Sequence, residues 1–305
     1  MRGREFNSCG APARDLDYVV VMAYRRIVCG TDFSPDAAHA LGRAAMLAAE
    51  HHAVLEVLHV VSHESLDALR QWVPDPLGFG ERLVRALRDE LERCAAGAAK
   101  AEVLVGDVTQ AILERAGSAD LLAIGAHGTN PLKDFMLGTT AERLAGQCKT
   151  PMLIVRTAPE RAYSKVLVGL DLLPGSEAAM ATALDFAGTA ILLAGHAFDV
   201  PFESMLARAG VAEPLVDAHR LQAHQAALEK IAALSRSVSG EADRFLAVAE
   251  RGHPAAFLVE QQRKAGADLV VLRKRRRSRV EALVLGSVTR HVLSDVASDV
   301  LLLVE

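Results

Sequence analysis

Tyr24-Arg-Arg-Ile-Val-Cys-Gly-Thr-Asp32 returns later in the chain as Tyr163-Ser-Lys-Val-Leu-Val-Gly-Leu-Asp171. Both copies run from a tyrosine and a basic residue into an aliphatic stretch, then to glycine and an aspartate, the pattern of a buried strand that ends at a turn. Three further segments recur in the same order at a near-constant offset. Ala119-Asp-Leu-Leu-Ala-Ile124 matches Ala267-Asp-Leu-Val-Val-Leu272, Leu137-Gly-Thr139 matches Leu285-Gly-Ser287, and Met152–Val155 matches Val300–Leu303. The chain is therefore a tandem repeat, and one copy can be read to understand both.

Working outward through the first copy, aliphatic runs at Ile27–Gly30, Val54–Val61, Glu102–Val105, Leu121–Gly125 and Met152–Val155 read as strands. Between them Asp36–His52, Gly80–Ala96, Val108–Ala116 and Thr139–Gln147 carry apolar residues at three- and four-residue spacing and read as helices. Leu83, Leu87 and Leu91 make one stripe while Arg85, Arg88 and Glu92 fall off it, and Ser34-Pro35 supplies a cap and a first-turn proline. Strands without polar alternation, each followed by a helix, predict an α/β fold: two tandem doubly wound, parallel, five-stranded sheet domains. The second copy repeats the scheme with a longer helix around Val211–Ser237.

The predicted boundaries are residues 22–157 for the first domain and 162–305 for the second, joined by a short polar linker containing Pro159. Residues 1–21 are read as a disordered extension or a non-native start, because Met22 directly precedes the first strand. At 305 residues and a net charge of −4 the chain suits two domains and gives no global case for nucleic acid as partner. No apolar run approaches a membrane span of roughly 20 residues. Cys9, Cys29, Cys94 and Cys148 lack metal or disulfide spacing, which fits a reducing cytoplasm. His51, His52, His59 and His63 likewise lack a ligand pattern, so no metal site is expected.

In an open parallel sheet, ligands sit beyond the carboxyl ends of the strands where strand order reverses. That rule selects Asp32 after the first strand and Gly125-Ala-His127-Gly128 after the fourth, followed by Gly138-Thr139-Thr140 at a helix start. Glycines let backbone approach a phosphate, and the free N–H groups of a helix start favour an anion.

Gly125-x2-Gly128-x9-Gly138-Thr139 resembles the Gly-x2-Gly-x9-Gly-Ser/Thr signature of ATP-binding universal stress proteins. Gly30-Thr31-Asp32-Phe33-Ser34, Leu58-His59-Val60 and Ala119–Gly128 are similar to the same family. The resemblance covers the chain twice from about Met22 and implies ATP or AMP, with or without Mg²⁺, as the ligand of the first domain. It implies that Gly30, Thr31 and Asp32 lie by the adenosine and that Val60 offers main-chain groups to adenine. Gly125, His127 and Gly128 would line the ribose and phosphate path, with Gly138, Thr139 and Thr140 on the phosphates. The family's dimer-forming edges correspond to Met152–Val155 and Val300–Val304, which implies an internal pseudo-dimer and leaves a further homodimer open.

The second copy departs from the signature. Alignment on Ala267–Leu272 puts Arg273 at the position of Gly125 and Arg276 at that of Gly128, although Asp171, Gly252-x-Pro254 and Gly286-Ser287 remain. An arginine there would occupy the space of ribose or phosphate, so ATP is not expected in this half. Arg273, Arg276 and Arg277 are either a solvated basic loop or a different anion site. With no nucleophile or general base aimed at the phosphates, no catalytic residue is expected. The resulting expectation is a nucleotide-binding stress or signalling protein, its protein partner unnamed. The rivals are a slow ATPase or phosphotransferase and a scaffold working through the basic loop.

Overall fold

The computed structural model describes residues 24–72, 78–95, 97–128, 137–241, 244–274 and 285–304. The reading of residues 1–21 thus lies outside the described residues. The first half contains β1 (Arg26–Thr31), α1 (Pro35–Glu50), β2 (Val54–Val61), α2 (His63–Arg70), α3 (Phe79–Cys94), β3 (Lys100–Val105), α4 (Val108–Ala116), β4 (Leu121–Gly125), α5 (Thr139–Gln147) and β5 (Met152–Val155). The second half contains β6 (Lys165–Gly169), α6 (Ser176–Ala187), β7 (Ile191–Phe198), α7 (Glu203–Arg208), α8 (Glu213–Ser239), β8 (Phe245–Arg251), α9 (Pro254–Ala265), β9 (Leu269–Lys274), α10 (Ser287–Asp295) and β10 (Asp299–Val304).

The two five-strand sets join into a single ten-stranded sheet of order β3-β2-β1-β4-β5-β10-β9-β6-β7-β8. Every neighbouring pair is parallel except β5 and β10, which run antiparallel with Val300 opposite Ile154, Leu301 opposite Leu153 and Leu302 opposite Met152. In each half the first strand lies between the second and the fourth, so strand order reverses beside β1 and beside β6. The doubly wound α/β reading stands, and the outermost β5 and β10 edges cover one another.

Side-chain alternation along β5 and β10 sends their residues to two cores that both span the halves. Leu153 and Leu301 lie in one core with Leu47, Tyr163 and Phe186; Met152, Ile154, Val300 and Leu302 lie in the other with Leu144, Leu258 and Val292. The Leu83–Leu87–Leu91 stripe packs on the first of these, with Leu91 fully buried. α2 was not anticipated: its eight residues bury only Leu66, too weak a stripe for periodicity to reveal. α4 starts where expected although it lacks the proline that opens α9, because the Asp107 side chain accepts a hydrogen bond from the Gln110 N–H.

The linker is pinned by a buried carboxylate. Asp299, fully buried, accepts hydrogen bonds from the Arg156 and Thr157 N–H groups, the Thr157 hydroxyl and the Tyr163 hydroxyl at 2.7–3.2 Å. Arg43 of α1 lies 3.6 Å from the same carboxylate, stacks over the Tyr163 ring at 4.0 Å and donates to the Arg161 carbonyl. Burial, reinforced by the Asp299 charge, pushes the Tyr163 phenol well above its usual range, so it remains a neutral donor.

Among the described residues Lys274 and Arg156 also reach across to helix ends of the other half. Lys274, buried at the end of β9, donates to the Ala145 and Gly146 carbonyls in the last turn of α5. Arg156, just beyond β5, donates to the Leu293 carbonyl near the end of α10. Each half thus caps the helix of the other half that opens with the Gly-Thr or Gly-Ser turn, placing positive charge where last-turn carbonyls lack intrahelical partners. Lys274→Met is expected to destabilise the protein by about 1–3 kcal/mol, because two buried carbonyls lose a charged donor. Chemical unfolding of the variant checks this, and an unchanged midpoint would mean the lysine contributes nothing there.

Candidate functional site

The site of the first half is assembled at the carboxyl ends of β1, β2 and β4, starting with the turn after β1. Phe33 takes a left-handed φ of 62°, and its N–H bonds the Thr31 hydroxyl. Ser34 donates its N–H to the Asp32 carboxylate at 3.0 Å, then caps α1 by accepting from the Ala37 N–H at 3.2 Å. His59 of β2 donates its Nδ1–H to the Thr31 carbonyl at 2.7 Å, and its ring lies 4.6 Å from that of Phe33. Val60 follows His59 as a buried residue of β2.

Three glycines bring chain segments into close approach here, most strictly Gly125. A Cβ on Gly125 would lie 2.7–2.9 Å from the backbone of Asp36 and Ala37, so its absence lets the start of α1 rest on the end of β4. A Cβ on Gly128 would lie 2.7 Å from the Asp32 carboxylate, and one on Gly138 3.1 Å from the Ala126 carbonyl. Gly138 caps α5 without a side chain, and its N–H bonds the Ala126 carbonyl at 2.8 Å. Thr139 and Thr140 stand exposed in the first turn. Gly30, Thr31, Asp32, Gly125, His127, Gly128, Gly138, Thr139 and Thr140 therefore converge on one end of the sheet, with Val60 on the adjacent strand. Residues 129–136, between the two glycine turns, lie outside the described residues.

Asp36 is a contributor that motif reading missed. Its carboxylate accepts from both the His127 N–H at 3.1 Å and the His127 Nδ1–H at 2.7 Å. His127 Nε2 is buried with no hydrogen-bond partner among the described residues. The Ser34 hydroxyl adds a 3.4 Å contact to the His127 carbonyl. The first turn of α1 thus fixes the loop after β4. A carboxylate in a helix's first turn was the available signal, but it is also an ordinary response to the helix dipole.

The second half keeps the frame and alters the chemistry. His196 repeats the His59 bond, with its Nδ1–H 2.9 Å from the Leu170 carbonyl. Asp171 accepts from the Leu173 N–H and the Ser176 hydroxyl, each at 3.0 Å. Arg273 pairs with the Asp171 carboxylate at 3.3 Å and donates to the Pro174 carbonyl at 2.7 Å. Its side chain is 7% exposed. Room for it exists because α6 begins five positions after Asp171, whereas α1 begins three after Asp32. Arg273 thus lies folded back onto the turn after β6. A cavity of about 710 Å³ remains. Its apolar wall includes Leu170, Leu173, Leu258, Leu272 and Leu285. Its polar wall holds Asp171, His196, Arg273, Lys274 and Ser287. Arg276 and Arg277 lie outside the described residues.

The sequence model of the universal stress protein family matches residues 23–156 and again 162–303. The chain belongs to that family. Its two matched segments coincide with the two halves of the ten-stranded sheet. Universal stress protein Rv2005c of Mycobacterium tuberculosis is 27% identical over 290 residues, covering 88% of this chain and 92% of that protein. A universal stress protein of Mycolicibacterium smegmatis is 23% identical over 296 residues, covering 90% and 95%. Among solved structures, the functionally unknown protein PA1789 of Pseudomonas aeruginosa superposes with a TM-score of 0.63 at 20% identity, covering 93% of this chain and 94% of that one. A universal stress protein of Archaeoglobus fulgidus gives 0.61 at 17%, covering 92% and 98%. These likenesses show the tandem fold. Among the described residues no group of three or more His, Cys, Asp or Glu is placed to hold a metal, and no helix is long and apolar enough to cross a membrane.

Proposed function

We propose that the first domain of this universal stress protein binds an adenine nucleotide, ATP or AMP, and that the bound state is read by a protein partner in the cytoplasm. The observation that carries this reading is the bare cradle formed by Gly125, Gly128 and Gly138. A Cβ at Gly125 would meet α1 backbone at 2.7–2.9 Å, whereas one at Gly128 would displace the Asp32 carboxylate and one at Gly138 would crowd the Ala126 carbonyl at 3.1 Å. The N–H groups opening α5 then face that space without a side-chain cap, beside the hydroxyls of Thr139 and Thr140. Backbone donors at a helix start suit phosphate, and Asp32 suits ribose hydroxyls. Mg²⁺, where it accompanies ATP, would be carried mainly by the phosphates.

Binding rather than turnover is the proposed activity. The nearest carboxylates are committed to structure: Asp32 to the Ser34 N–H and Asp36 to His127. Neither is placed as a base for an attacking water, so hydrolysis is expected to be slow at most. In the second domain the carboxylate equivalent to Asp32 is already paired with Arg273, which disfavours ribose there. Isothermal titration of Mg-ATP into the full chain is expected to give one site per chain. Two sites would overturn the asymmetry, and no binding would overturn the nucleotide reading.

A further inference from the structure

We infer that Arg156 is a positioning residue for the first-domain site: from the joint between the halves it braces Asp36, which holds His127, so ligand affinity in the first half depends on how the second is docked. This role deepens the nucleotide reading of that site and rests on it. It is carried by the meeting of α1, the ends of β4 and β5, and the start of β10 around one side chain.

Backbone pairing brings Arg156 to the site. Gly125 of β4 lies opposite Val155 of β5, and the Ala126 N–H bonds the Val155 carbonyl at 2.9 Å. Arg156 therefore leaves the sheet beside the loop that carries His127. Because Gly125 has no Cβ, the backbone of Asp36 and Ala37 rests against the same point from α1. There one Asp36 oxygen, Oδ2, accepts both the His127 N–H at 3.1 Å and the His127 Nδ1–H at 2.7 Å. The Asp36 side chain is 24% exposed, and a carboxylate so far withdrawn from water holds its charge better beside a cation. Arg156 provides one. Burial lowers the pKa of its guanidinium, and the charges of Asp36 and Asp299 oppose that fall, which sets the cation within reach of both carboxylates.

Arg156 is itself anchored from the second half. Its N–H donates to Asp299 at 2.9 Å, and its guanidinium donates to the Leu293 carbonyl near the end of α10. A shift of α10 or of β10 therefore moves the cation that braces Asp36. The arrangement belongs to the first half alone. Alignment of Met152–Val155 with Val300–Leu303 puts Val304 at the position of Arg156, so the end of the strand does not by itself call for a cation.

The test is a double-mutant cycle read by titration of Mg-ATP into the full-length chain. Arg156→Met is expected to weaken Mg-ATP about tenfold, with Arg156→Lys, which keeps the charge but not the fork, in between. Asp36→Asn is expected to weaken it by a similar factor. The chain carrying both Asp36→Asn and Arg156→Met should bind no more weakly than Asp36→Asn alone, because Arg156 acts through Asp36. Tyr163→Phe is the comparison for the joint: it takes a buried donor from Asp299 and should lower the melting temperature, yet leave Mg-ATP affinity unchanged. Additive losses in the cycle, or an equal loss in Tyr163→Phe, would reduce Arg156 to a structural role and overturn the inference. A second measurement needs no ligand. Amide hydrogen exchange at the His127 N–H, read by mass spectrometry on peptides covering Leu121–Gly128, should be about tenfold faster in Arg156→Met and unchanged in Tyr163→Phe. If the unsubstituted chain binds no Mg-ATP, the nucleotide reading fails, and exchange decides the bracing of Asp36 separately. Unaltered exchange in Arg156→Met would overturn that bracing.

Discussion

Gly128→Arg is expected to reduce ATP binding by at least about 100-fold, roughly 2.7 kcal/mol, while far-UV circular dichroism and the melting transition change little. Any Cβ at this position falls 2.7 Å from the Asp32 carboxylate. That group can rotate away, so the fold survives. Rotation, however, takes the carboxylate out of its turn with the Ser34 N–H and removes it from where ribose would meet it. The arginine side chain would also enter the cradle between β4 and α5. Gly125→Arg should behave differently. There the Cβ meets the backbone of α1 at 2.7–2.9 Å, which cannot rotate, so lost binding should come with about 1–3 kcal/mol of destabilisation from overpacking. Titration calorimetry and denaturant melts of the two variants separate these outcomes. Full ATP affinity in Gly128→Arg would place any nucleotide site elsewhere.

The second large effect is expected at the joint between the halves. Asp299→Ala should destabilise the chain by about 3–5 kcal/mol, because the Arg43 guanidinium, whose side chain is 6% exposed, would be left without its carboxylate. In the same variant the Tyr163 hydroxyl and the Arg156 and Thr157 N–H groups would lose their acceptor. For a chain of this size that corresponds to a fall in melting temperature on the order of 10 °C. Protease cleavage around residues 157–161 should accelerate, since those backbone bonds fix the linker. Asp299→Asn should fall between the two, because one oxygen still accepts while the amide faces donors. A melting curve for Asp299→Ala that overlays the unsubstituted protein would show that the β5–β10 pairing and the shared cores hold the halves together unaided.

The glycine site and the Asp299 joint differ in how far the chain revealed them in advance. Strand and helix positions were legible because they rest on local periodicity: β2, β4, β5, α4 and α5 fall where the apolar spacing puts them. The convergence of Asp32, Gly128 and Gly138 was legible because the parallel α/β arrangement brings the ends of β1 and β4 to the same edge. Asp299, by contrast, gives no sign at its own position. It sits between a serine and a valine, and its partners are contributed by α1 and the linker.

By itself, then, the sequence determined the tandem α/β architecture, most element positions though not α2, and the bare glycine positions, since each depends on residues near one another in the chain or on repetition. Tertiary structure alone decided the remainder. It fixed the antiparallel register of the β5–β10 joint, with Leu301 opposite Leu153, and it set Lys274 and Arg156 on helices of the opposite half. It also started α6 late enough for Arg273 to turn onto Asp171 at the wall of a cavity. The physical reason is common to all three. Where a long side chain points, and whether its charge finds a partner, depends on neighbours distant in sequence, which periodicity and motif spacing do not encode.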